Sequence, residues 1–192
     1  MATVELVRHA KARSRAEWNG GDDNDRPLSG PGLLQAQRMA ADVLDEGDVA
    51  AIYSSPLTRC MQTCEPIARA GVTVLTDPRV GEIDHLAVAD GGSAWVASAW
   101  LGGRALGLLD EVLRRHSTAR VVVCSHGDVI SALLSLLVGR DGVELSDVRV
   151  RKGGRVTLSF DAGGHCIRAV HLGRPRADVS HAAEGPGAPG LR

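Results

Sequence analysis

The stretch ARVVVCSHG at residues 119–127 constrains the fold most. Its β-branched apolar run carries no polar interruption, so it reads as a buried strand of the kind found in parallel sheets covered by helices. The rest of the chain fits that requirement. Short β-branched runs alternate with longer amphipathic stretches, which predicts a layered α/β fold around a mainly parallel sheet. Aromatic residues make up only 3% of the chain, so Val, Leu, Ile and Ala must fill the core.

Val4–Val7 predicts the first strand, and residues 11–28, polar and rich in Gly, Asp and Asn, a loop. Ser29 is placed to cap a helix with Pro31 in its first turn; Leu33, Leu34, Ala36, Met39, Ala40, Val43 and Leu44 then fall near helical spacing until Gly47. Val49–Tyr53 predicts a second strand, Pro56 to about Ala70 a helix stopped by Gly71, and residues 72–75 a third strand. Residues 77–103 hold two Trp and several Gly and predict a loop with a short helix, followed by an amphipathic helix over Leu106–His116. A helix to about Val138 follows the 119–127 strand, and Val156–Phe160 with His165–Leu172 predict a hairpin around DAGG. Beyond Gly173 the sequence turns to Arg, Pro, Ala and Gly. That composition predicts one domain over 1–173 and a disordered tail over 174–192.

The formal net charge of −1 gives no general attraction to a nucleic-acid polymer or a membrane surface. No stretch is long and apolar enough to span a bilayer, and strand-like sequence begins at once where a signal peptide would stand. The four cysteines form no CxxC pair and read as reduced, buried thiols of a cytoplasmic protein. Cys60 and Cys64 share a helix face, but zinc would need two further ligands close by.

Ligands of parallel sheets bind beyond the carboxyl ends of the strands. The first predicted strand ends in Arg8–His9. The second ends in Ser54–Ser55, with Arg59 in the first turn of the helix behind it. The third such ending is Ser125–His126–Gly127. Arg8, His9, Arg59 and His126 therefore converge on one sheet edge, where two helix N-termini also favour an anion. One Arg or His at a strand end is ordinarily a solvated loop residue; the convergence is what points to a site. Arg matches phosphate oxygens with its fork of donors, and neutral imidazole is a competent nucleophile. Such a set suits phosphoryl transfer.

A general acid would still be needed, and Glu82, Asp22, Asp23 and Asp25 qualify by type. Metal ligation is the rival use of His9 and His126, disfavoured by two neighbouring Arg and by the lack of HxH or HxxxH spacing. Two basic runs, Lys11 with Arg13 and Arg15, and Arg149 with Arg151, Lys152 and Arg155, read as solvated patches. Their functional alternative is that Arg15 or Lys152 grips a second phosphate or another substrate anion. His85, His116, His165, His171 and His181 read as surface, hairpin or tail positions.

LVRHAKA (6–12) resembles the signature of the histidine phosphatase superfamily, which includes cofactor-dependent phosphoglycerate mutases and acid phosphatases. DRPLSGPGLLQA (25–36), IYSSPLTRCMQTCEPIA (52–68), DPRVGEI (77–83) and VVVCSHGDVI (121–130) are similar to further motifs of that family, in the family's order, over residues 3 to 172. The resemblance implies a three-layer α/β/α sandwich with a mostly parallel sheet. It implies His9 as a nucleophile forming a phosphohistidine, Arg8, Arg59 and His126 as ligands of the phosphoryl group, and Glu82 as proton donor, with no metal or cofactor. Ala10 and Lys11 stand where the family commonly has Gly and an acidic residue, and Arg15 where it often has Asn. The RHA start and short chain look like the SixA-like phosphohistidine phosphatase branch, which can lack the acidic donor, and like phosphatase domains fused behind Nudix hydrolases. In the latter a stretch like RDGVELSDVRVRKGG (140–154) recurs, a hint towards a nucleoside diphosphate or similar substrate.

The expectation is a cytoplasmic, metal-independent phosphatase acting on a small phosphorylated substrate or a phosphoprotein. A phosphoglycerate-type mutase is the alternative within the family, although little sequence between 77 and 104 is available to build a lid that retains the phosphoryl group. A non-catalytic phosphate-binding module is the third possibility, and the presence of all four cradle residues argues against it.

Overall fold

The structure is a computed structural model that describes residues 1–19, 21–82 and 94–172. In chain order the elements are β1 (Ala2–Arg8), α1 (Gly30–Asp45), β2 (Ala51–Ser54), α2 (Thr58–Ala68), β3 (Val74–Thr76), α3 (Ala94–Arg115), β4 (Arg120–Ser125), α4 (Gly127–Asp141), β5 (Arg155–Phe160) and β6 (Cys166–Leu172). The expected tail over 174–192, with His181, and His85 lie outside the described residues. Among the described residues no helix is long and apolar enough to cross a membrane.

The strands form one six-stranded sheet in the order β3-β2-β4-β1-β5-β6. The first four strands are mutually parallel, and the β5–β6 hairpin adds antiparallel to β1. Alternation along β1 and β4 divides the core. Val4, Leu6, Val121 and Val123 face Leu101, Leu108 and Val112 of α3 and Leu133 and Leu137 of α4. Val7, Val122 and Cys124 face Met39 and Val43 of α1 and Cys60 and Ile67 of α2. Apolar residues on both faces of the central strands require helices on both sides, which gives the three-layer α/β/α arrangement.

Ser29 caps α1 as its position predicts, accepting from the Gly32 N–H at 3.2 Å and donating to the Lys11 carbonyl at 2.9 Å. The second helix starts at Thr58 rather than Pro56, and the third strand sits at Val74–Thr76 rather than 72–75. The main correction concerns residues 77–103, expected as a loop with a short helix apart from the helix at Leu106: one helix, α3, begins at Ala94 and runs unbroken to Arg115. Its glycines conceal it, because Gly disfavours a helix interior. Gly102 is there for contact: a Cβ on it would come within 2.8 Å of the Leu136 side chain and 3.0 Å of the Ala132 carbonyl. Close packing of α3 on α4 thus overrides propensity.

Candidate active site

All four parallel strands end at one edge of the sheet. β1 delivers Arg8 and His9, β2 leads through Ser55 to Arg59 in α2, and β4 delivers His126 as the residue preceding α4. β3 leads through a short 3-10 turn, Pro78–Val80, to Glu82. The edge is anchored from below: the His9 N–H donates to the Ser125 carbonyl at 3.0 Å and the Ala10 N–H to Thr63 Oγ1 at 3.0 Å. Arg8 Nη1 donates to the Val150 carbonyl at 2.8 Å. Its guanidinium lies on Gly127, where a Cβ would come within 2.5 Å of Arg8 Cζ. The glycine after His126 is therefore room for the arginine.

His9 is 6% exposed. Its Nδ1 lies 2.8 Å from the Ala10 carbonyl. A carbonyl only accepts, so Nδ1 carries the hydrogen and Nε2 keeps its lone pair. Burial pushes the pKa down to about 3; the charges of His126, Arg59 and Arg8 act in the same direction, against the Ala10 hydrogen bond. The ring is thus a neutral base at ordinary pH, 5.2 Å from the His126 ring and tilted 59° to it.

His126 and Arg59 are each 1% exposed. Burial alone would lower the His126 pKa, but Cys60 and Glu82 outweigh it and raise the value to about 9. Its Nε2 lies 2.9 Å from Ser55 Oγ and 3.5 Å from Cys60 Sγ, and its Nδ1 lies 3.3 Å from Glu82 Oε2. Arg59 donates to the Asp23 carbonyl at 2.8 Å and to Glu82 Oε2 at 2.5 Å. His126 foremost, with Arg59, holds the Glu82 carboxyl well below the usual carboxylate range, against the opposing effect of burial. Among the described residues two buried guanidinium nitrogens here, Arg8 Nε and Arg59 Nε, have no hydrogen-bond partner, and His126 Nδ1 has only its ion-pair contact with Glu82. Buried donors are nearly always satisfied, so a cluster of unmet ones marks a place for an acceptor.

The structure separates the acidic candidates. Asp22 caps the 3-10 turn Asp23–Asp25 by accepting from the Asn24 N–H. Asp23 is the one beside the cradle, 3.4 Å from Arg59, 2.7 Å from Arg26 and 3.3 Å from Arg15. Arg15 is thus an exposed neighbour of the site engaged by Asp23, while Lys152 is exposed on the loop before β5. Arg155, grouped by sequence with a solvated basic run, is 6% exposed and bonded to Glu5 and Glu46.

Sequence reasoning did not assign the residues that hold the site in place. Gln62 Oε1 accepts from the Leu28 N–H at 2.7 Å, and Thr63 Oγ1 donates to the Arg59 carbonyl at 2.7 Å. Both lie one helical turn beyond Arg59, a spacing that could have singled them out. His116, expected at the surface, lies 3.1 Å from the Tyr53 hydroxyl. The four cysteines are free and buried. Among the described residues no three His, Cys, Asp or Glu side chains are grouped so as to hold a metal ion.

Comparison with known proteins places this geometry. The sequence profile of the histidine phosphatase superfamily (branch 1) matches residues 4–93 and 98–172. The 8-oxo-(d)GTP phosphatase of Mycolicibacterium smegmatis is 30% identical over 174 residues, covering 90% of this chain and 48% of that protein. The chain thus spans about half the length of that relative. Among solved structures, YhfR of Bacillus stearothermophilus superposes with a TM-score of 0.66 at 23% identity, covering 86% of this chain and 94% of that one. The phosphoserine phosphatase of Entamoeba histolytica, in complex with 3-phosphoglyceric acid, gives a TM-score of 0.65 at 21% identity, covering 93% and 98%. These two structures share the fold.

Proposed function

The chain belongs to branch 1 of the histidine phosphatase superfamily, and on that premise we propose that it is a metal-independent phosphatase working through a phosphohistidine on His9. One observation carries the reading. A neutral imidazole with a free Nε2 lone pair sits beside buried guanidinium nitrogens, Arg8 Nε and Arg59 Nε, that have no hydrogen-bond partner among the described residues. A phosphoryl group would satisfy those donors and present its phosphorus to that lone pair.

His9 Nε2 attacks phosphorus; the N–P bond forms as the bond to the leaving oxygen breaks. Arg8, Arg59 and protonated His126 stabilise the charge on the phosphoryl oxygens. Water then attacks the phosphohistidine, the N–P bond breaks and phosphate is released.

Glu82 is the group we assign to proton transfer. In the resting site it is an anion held by His126 and Arg59. A bound phosphate draws those two cations to itself and places like charge beside the carboxylate, and both effects raise its pKa. It can then give a proton to the leaving oxygen and take one back from the attacking water. Asp23 is the neighbouring carboxylate, committed to Arg26 and Arg15 as well as Arg59. The site is expected to act on a small phosphorylated molecule or a phosphoprotein in the cytoplasm.

The direct test is hydrolysis of p-nitrophenyl phosphate in the presence of EDTA. The wild-type chain should release phosphate and His9→Ala should not. Activity that EDTA abolishes, or that survives in His9→Ala, would sink the reading.

A further inference from the structure

Ser125 is the residue of β4 that breaks the strand's apolar series. On the face that meets α3 and α4, Val121 and Val123 precede it, both buried. Ser125 follows them on that face by the two-residue period of a strand, and it is fully buried. A hydroxyl buried that deeply is unfavourable unless it is paired. Its partner is the Val80 carbonyl, to which Ser125 Oγ donates at 2.7 Å.

That carbonyl ends the 3-10 turn Pro78–Val80, and Glu82 stands two residues beyond it. A three-residue 3-10 turn has little stability of its own. Its ties to the rest of the fold therefore set where Glu82 emerges. Two contacts hold its start: the Asp77 N–H donates to the Ser54 carbonyl at 2.8 Å, and Arg104 of α3 donates to the Pro78 carbonyl. Ser125 holds its end. The carbonyl of the same residue accepts from the His9 N–H at 3.0 Å, and the next residue is His126. One strand end thus fixes the nucleophile, a cation of the cradle and the turn that carries the carboxylate.

This tie matters most once phosphate is bound. In the resting site Glu82 is also gripped through its side chain, by Arg59 at 2.5 Å and by His126 at 3.3 Å. A phosphoryl group competes for both of those cations. At the moment of proton transfer the carboxylate then depends on its backbone for its place.

We propose that Ser125 is a positioning residue for Glu82: through the Val80 carbonyl its hydroxyl holds the carboxylate within reach of the leaving oxygen. The proposal rests on the phosphatase reading above and on its assignment of Glu82 to proton transfer. Without the hydroxyl the Val80 carbonyl is unmet and the end of the turn is free to shift. A displacement of about an ångström is enough to cost a large part of a positioned group's effect.

The test compares kcat/KM for an alkyl phosphate, which needs a proton on its leaving oxygen, with that for p-nitrophenyl phosphate, which needs it far less. The ratio of the two, taken on one preparation, does not depend on how much of a variant folds. Ser125→Ala should lower that ratio about tenfold, part of the roughly 10²-fold expected for the loss of the acid–base group itself. In Ser125→Ala/Glu82→Gln the ratio should equal that of Glu82→Gln alone, because the hydroxyl acts only through the carboxylate. An unchanged ratio in Ser125→Ala, or losses that multiply in the double variant, would overturn the proposal. So would an equal fall on both substrates, the mark of a general disturbance of the cradle. If Glu82→Gln itself leaves the ratio unchanged, the Glu82 assignment fails and takes the proposal with it. A lowered ratio in Glu82→Gln with an unchanged one in Ser125→Ala removes only the role of Ser125.

Discussion

Two charged clusters lie on this sheet, and their contrast is instructive. The first joins Glu5 of β1, Arg120 of β4, Arg155 of β5 and Glu46 after α1. Glu5, 1% exposed, accepts from Arg120 at 3.0 Å, Arg155 at 2.8 Å and Thr157 at 2.8 Å, and Arg155 also bonds Glu46. Two carboxylates face two guanidiniums, and the charges cancel. The second cluster is Arg8, His9, Arg59, His126 and Glu82. It carries more positive than negative charge and, among the described residues, leaves two buried guanidinium nitrogens, Arg8 Nε and Arg59 Nε, without a hydrogen-bond partner. A closed network is a structural tie between strands, whereas an open one with a charge surplus waits for an anion.

Breaking each cluster should therefore give opposite phenotypes. His9→Ala should lower turnover by at least roughly 10⁴-fold, as losses of a nucleophile do, and leave the melting temperature near that of wild type. Glu5→Leu leaves Glu46 as the one carboxylate for two guanidiniums and should cost about 3–5 kcal/mol of stability by denaturant titration, while the folded fraction keeps its kcat. Stability lost in the first variant, or kcat lost in the second at full folding, would erase the distinction.

The Glu82 assignment gives a smaller effect. Glu82→Gln should slow hydrolysis of an alkyl phosphate by about 10²-fold, the scale of one acid–base group, and that of p-nitrophenyl phosphate much less. An equal loss on both substrates would place the proton donor elsewhere.

The pH dependence sharpens the contrast further. His126, raised to about 9, keeps a proton in the fold that the unfolded chain releases above its ordinary 6.5. Its contribution to stability is full below 6.5 and is lost as pH rises through about 9. His9 works the other way. It stays neutral in the fold down to about 3 while the unfolded chain binds a proton below 6.5, so its burial costs stability as pH falls through that window. Activity should fall as pH rises through about 9, when His126 loses its charge. Because Glu82 helps to raise that value, Glu82→Gln should move the alkaline limb to lower pH. An unmoved limb would show that Glu82 does not set the His126 charge.

The cradle was legible because its residues end strands, and parallel strands share a carboxyl edge. Asp23 was not singled out, since it sits in a polar loop among other acidic residues with no period to distinguish it. Arg155 was misjudged because its partner Glu5 lies 150 positions away in sequence; neighbouring Arg and Lys made it look like part of a surface run. The first half of α3 was obscured by glycines whose reason is a neighbouring helix. Local sequence reports what a strand or cap needs, and long-range contacts report through residues that look out of place.

The central claim is a covalent bond between His9 and phosphorus. Rapid alkaline quenching of the wild-type chain during p-nitrophenyl phosphate turnover, followed by peptide mass spectrometry, tests it directly. The account predicts one phosphoryl group on His9, stable in alkali, lost in acid and absent from His9→Ala. Turnover with no label on His9, or with the label on another residue, would contradict it.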